Sequence, residues 1–238
     1  GTLKEGLKGS TELPPREKLI EQLDRAERAL LRGHDVIEDA KEYKRVSGQA
    51  GLHTVPLAQF IEEAVKKLQK RFEDFPNIKV ILNLPENLPP VEGLATLPLL
   101  PLNLLAIPFW GLAASIYPEG GTIMVKALAD TQRNHVELIV ADDTAEPLRK
   151  YLENPNRVGD EAFPTRSRHG AFYYFVVKKT VSDHYGRLVV LDGPGPLGPK
   201  GSEGANPGKG TTMLVQLPLK YTPPKPEEIE EKILGNPP

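Results

Sequence analysis

In Tyr117-Pro118-Glu119-Gly120-Gly121-Thr122-Ile123 a helical pattern stops and a strand pattern starts. Upstream, residues 94–117 form the most apolar stretch of the chain, long enough to raise the question of a membrane span. Pro98, Pro101 and Pro108 interrupt it, no basic anchors flank it, and the Pro-Glu-Gly-Gly turn closes it. It therefore reads as a buried core helix. Downstream, residues 122–129 and 135–141 read as two strands joined by a polar turn at 130–134.

Working outward, residues 57–75 read as a helix with Phe60, Ile61, Ala64, Val65, Leu68 and Phe72 on one face. Residues 78–82 read as a strand and 85–93 as a loop. Beyond a polar stretch at 143–168, residues 171–185 fit a helix, and 187–191 and 213–217 the last strands, separated by a Gly/Pro-rich loop at 192–210. Before all of this, Pro14-Pro15 opens a helix of about 32 residues. Leu19, Leu23, Ala26, Leu30, Ile37 and Ala40 recur along it at helical spacing. So narrow a seam, on a helix about 48 Å long, calls for another helix to cover it.

The fold class expected is α+β: a two-layer α/β sandwich with a mixed sheet and helices on one face, preceded by a long helix. Its divisions are a tail at 1–13, the helix at 14–48, a hinge at 49–57, the sandwich at 58–220 and a Pro/Glu-rich tail at 221–238.

Composition narrows the function. Lys and Arg number 30 against 32 Asp and Glu, a net charge of −2, which argues against a general nucleic-acid binder. Without Cys, the chain has no disulfide, thiolate metal site or cysteine nucleophile. Gly1-Thr2-Leu3-Lys4 lacks the layout of a signal peptide, and the expected location is the cytoplasm. The 24 Pro and 21 Gly make up about a fifth of the residues, above the usual share yet short of a disordered composition.

Particular words within this order resemble the sensor histidine kinase family. Residues 36–48, VIEDAKEYKRVSG, look like the end of its second dimerisation helix, and Val55-Pro56-Leu57 like the entry to its ATP-binding domain. LPENLPPV at 84–91, YPEGGTI at 117–123 and PGKGTT at 207–212, followed by Leu217-Pro218-Leu219, are similar to further family words in family order. The resemblance implies a GHKL-type ATPase fold, a homodimer through residues 15–47, and a response regulator or another signalling protein as partner; the charge balance and the prolines of 94–117 lead to the expectation of no nucleic acid and no membrane.

The family holds ATP with an Asn-bearing helix, an Asp followed by two glycines, and a second glycine-rich loop. The Asn holds magnesium, the Asp reads adenine, and glycines let the backbone approach phosphate. Counting back from Pro118, the Asn position falls on Leu112, which has no ligand oxygen. Asp142 matches the adenine-reading aspartate, but the two glycines fall on Thr144 and Glu146. Matching His184-Tyr185-Gly186-Arg187-Leu188 to the family's "HGGRI" puts Tyr173 on a glycine of the second loop. Asp142 and Thr212 are the vestigial nucleotide-binding positions.

The expectation is a degenerate, pseudokinase-like module that binds no cofactor. The alternative is a divergent kinase that still takes Mg-ATP, resting on Asp142 and the basic pair Arg166 and Arg168, with its acceptor histidine on a helix outside this chain. A second alternative makes His34 the phospho-acceptor of a phosphotransferase, because Asp35 can draw a proton from the ring. His184 is expected at a helix end, where positive charge complements the last carbonyls.

Overall fold

The computed structural model describes residues 15–114, 121–143, 167–193 and 210–223. The chain divides into two units, Gly1–Arg45 and Val46–Pro238.

The first unit is the greater part of α1 (Arg16–Ser47), 32 residues without a proline. Its predicted seam is largely uncovered: Leu23, Ala26, Leu30 and Ile37 are exposed, Leu30 by 75%, and Leu19 and Ala40 are half-buried. Further along, Lys41 bonds Glu38 at 2.7 Å, and Arg45 grips both carboxylate oxygens of Glu42 at 2.8 and 2.5 Å. Such exposed pairs one turn apart favour the helix only slightly.

The second unit is the sandwich. Its strands are β1 (Leu52–Val55), β2 (Ile78–Asn83), β3 (Val91–Leu94), β4 (Gly121–Asp130), β5 (His135–Asp142), β6 (Arg187–Asp192) and β7 (Thr211–Pro218). Its helices are α2 (Leu57–Arg71), α3 (Leu100–Ala114) and α4 (Ser167–Asp183). Five strands pair in the order β2-β4-β5-β7-β6, with β2 parallel to β4 and the other pairs antiparallel. The parallel pair requires a long crossover, which β3 and α3 supply. β1 and β3 form a separate antiparallel pair.

Register explains which face is apolar. Val125, Val140 and Met213 stand side by side, as do Ala127, Leu138 and Val215. All six are buried. Packed against α3, α2 buries Leu57, Ile61, Ala64, Val65 and Leu68, at steps of three, four and one that keep one face inward. At roughly 1.5–3 kcal/mol per large apolar side chain removed from water, that face alone fixes α2 in place. Just past α2, Phe72 packs on Phe109 and Trp110 of α3, with ring centroids 5.4 and 5.2 Å away.

α3 has no charged residue, and its middle, from Asn103 to Trp110, is buried throughout. It is the core helix read above over 94–117, but it begins only at Leu100, because Leu94 ends β3 and Leu97–Leu99 form a short turn. Among the described residues no helix is long and apolar enough to cross a membrane.

Three other elements differ from expectation. The loop at 85–93 gives way to strand β3, whose four residues include Gly93 and follow Pro89-Pro90, too short a run to show alternation. Pairing with β1, from Leu52↔Leu94 to Val55↔Val91, makes it a strand. α2 stops at Arg71 rather than 75, because the chain turns back with Phe75 N–H donating to the Phe72 carbonyl. α4 begins at Ser167, four residues earlier than its apolar pattern. It ends in a left-handed cap: Tyr185 has φ +55°, and Gly186 N–H donates to the Val181 carbonyl.

Candidate functional site

Of the residues singled out by sequence, Asp142, Thr212 and Leu112 lie around the end of β5. Successive strand residues point to opposite faces, so Asp142 shares the helix-covered face with Val140, and it lies across from Ile123. It is buried at 1% exposure. The last pair between β5 and β7 is Ala141↔Thr212, and one step on Asp142 stands beside Thr211.

The two threonines therefore divide their work. Thr211 lies on the face of Asp142. Thr212 lies on the other face, where its hydroxyl donates to the Gly193 carbonyl at 2.7 Å. Gly193 N–H in turn donates to the Gly210 carbonyl at 2.9 Å, tying the end of β6 to the start of β7. Sequence reasoning chose Thr212 and passed over Thr211. Alternation counted back from the buried Met213 and Val215 is the signal that separates them.

Gly210 is fixed by this corner. Its φ is +81°, and a Cβ there would lie 2.1 Å from the Asp142 carbonyl oxygen. A side chain would push Asp142 away, so glycine is required by both backbone and space.

Across the sheet, Asp143 turns the opposite way from Asp142. Its Oδ1 accepts from Thr122 N–H at 2.7 Å. Leu112, on the last turn of α3, reaches the same spot. A Cβ on Gly121 would meet Leu112 Cδ2 at 2.3 Å and Asp143 Oδ1 at 2.6 Å. The start of β4, the end of β5 and the end of α3 are thus packed together through Gly121. Leu112 itself is buried.

Tyr173 stands near the start of α4, three and four residues before Val176 and Val177, and so on the core face of that helix. It is completely buried, and its hydroxyl accepts from Arg71 Nη1 at 3.0 Å. Phe172 meets it edge-on at 5.3 Å. Arg71 is the last residue of α2.

Thr144, Glu146, Arg166 and the side chain of Arg168 lie outside the described residues. His34 is exposed on α1. Among the described residues no group of three or more His, Asp or Glu is placed to hold a metal ion.

Solved structures share this fold. The mycobacterial sensor histidine kinase MprB matches with TM-score 0.50 and 18% identity over 73% of this chain and 100% of that one. The catalytic domain of histidine kinase ThkA, in a nucleotide-free form, matches with TM-score 0.50 and 13% identity over 72% and 98%. Full-length ShkA in complex with AMPPNP matches with TM-score 0.50 and 15% identity over 92% of this chain and 42% of that one. No protein-family model and no curated protein matches the sequence. Identities this low establish the fold.

Proposed function

We propose that this chain, which has the fold of the sensor histidine kinase ATP-binding domain, is a two-component-type signalling module that contacts a partner protein without turning over ATP. The observation that carries this reading is Tyr173. It occupies a position matched to a phosphate-loop glycine, and it is wholly buried with its hydroxyl held by Arg71. A ring fastened in this way does not swing aside at little cost.

Mg-ATP does not fit the residues present. Mg²⁺ needs oxygen ligands, and the matched asparagine position is Leu112, packed against Gly121. No step is therefore routed through the nucleotide. Homodimerisation through the uncovered seam of α1 belongs to the same proposal, as does a response regulator or another signalling protein as partner.

A second reading, a divergent site that still binds nucleotide, draws on one observation: the Asp142, Thr211 and Gly210 corner is intact. Isothermal titration separates the two. The expected result is no heat of binding when Mg-ATP is added at micromolar to millimolar concentration. Saturable binding that Asp142→Asn abolishes would establish the second reading instead.

A further inference from the structure

His184 lies just past the last turn of α4 with its ring buried. Its Nδ1 stands 2.6 Å from the Thr180 carbonyl oxygen, which can only accept, so Nδ1 carries the proton. Nε2 is then the acceptor, and Leu94 N–H of β3 donates to it at 2.9 Å. The two bonds specify a neutral imidazole in one tautomer. This replaces the cationic helix cap expected from sequence.

The seat is shaped to the ring. A Cβ on Gly93 would lie 2.5 Å from Nε2 and 2.6 Å from Leu97 Cδ2, so only glycine admits the imidazole against β3. Tyr221 closes the other side edge-on, with centroids 5.8 Å apart. A protonated ring has two donors and no acceptor, and it would set N–H against the Leu94 N–H.

We infer that His184 is a proton-operated latch: the neutral ring fastens the end of α4 to β3, and protonation frees the β1–β3 pair from it. β3 pairs with β1 along its whole length, and β1 is the first strand after α1 in sequence. Release therefore acts on the segment that follows the long helix. When the latch opens, the pair keeps the bond from Glu92 N–H to the Leu219 carbonyl at 2.8 Å and its buried Val55 and Val91.

The charged and titratable groups around the ring are few. On α4, Asp183 favours the imidazolium and is itself bonded to Lys179. Tyr185 follows it, and Tyr221 comes from the chain after β7. On the hairpin, exposed His53 pairs with Gly93, and Glu92 points to the opposite face of β3. Leu97, on the short turn before α3, brings no charge. Burial is the largest influence and holds the His184 pKa below the ordinary 6.5. Between the lowered value and 6.5 the unfolded chain binds more protons than the folded one. The latch is thus fully closed above about pH 6.5 and is lost as pH falls through the folded pKa.

Amide hydrogen exchange on the full chain, corrected for the intrinsic rate at each pH, tests this. Leu94 protection, relative to β5 amides, is expected to fall about tenfold for each pH unit below the folded pKa. His184→Gln, whose amide oxygen accepts without titrating, should make that protection independent of pH, and His53→Gln should leave the fall in place. Nitrogen chemical shifts of the unsubstituted chain should show the Nδ1–H tautomer near neutrality, whether or not the variants fold. Equal Leu94 protection at acid and neutral pH, or an Nε2–H tautomer, would overturn the latch.

Discussion

Gly210 is where a single methyl group is expected to matter most. Its φ of +81° disfavours any side chain, and its missing Cβ is the space taken by the Asp142 carbonyl. Gly210→Ala should cost about 2–4 kcal/mol, from strain plus a backbone clash. It should appear as a lower urea midpoint at unchanged slope. How far the site was legible varies residue by residue. Asp142 is readable from its neighbours in sequence. Alternation along β7 puts Thr211 with Met213 and Val215, but that this face is also the one of Asp142 depends on the register between β5 and β7, set by pairing between distant segments. Tyr173 is readable as a residue out of place. Its partner Arg71 lies 102 positions away and is found only once α2 and α4 are brought together.

Among the elements, α3 is the clearest conflict between local and tertiary preference. Pro108 lies inside the helix, where it leaves the Leu104 carbonyl without its helical donor, a cost of about 3 kcal/mol. The helix persists because it is packed on all sides. Pro108→Ala restores the bond and loses two buried ring carbons at about 0.8 kcal/mol each. The expected outcome is a net gain of about 1 kcal/mol, read from chemical denaturation. The same tertiary dominance decides what sequence could show. α2 is legible because five buried residues keep helical spacing, and β4 because ten residues are enough to display alternation. β3 is illegible because its pattern is four residues long and its reason for being a strand is β1. α4 is legible only from Ala171 onward, since its first residues, Ser167 to Gly170, carry no apolar period.

For the whole molecule, the uncovered seam of α1 is the feature that asks for a second chain. Leu23 and Leu30 are exposed by 62% and 75% in one copy. Sedimentation of the full chain should give a dimer at micromolar concentration, and Leu23→Glu with Leu30→Glu should give a monomer whose sandwich remains folded. A monomeric unsubstituted chain would remove the dimer from the proposal.

The chargeless helix α3 also bears on how the chain comes to be folded. Most of what covers it (β4, β5 and α4) lies later in the sequence, and α4 begins more than fifty residues after α3 ends. A chain emerging from its N-terminus presents this helix long before its cover exists. Until α4 docks, the most apolar surface of the protein faces solvent, a condition that favours aggregation of incomplete chains. The segment that makes the finished core dry is the one a growing chain must keep from its neighbours longest.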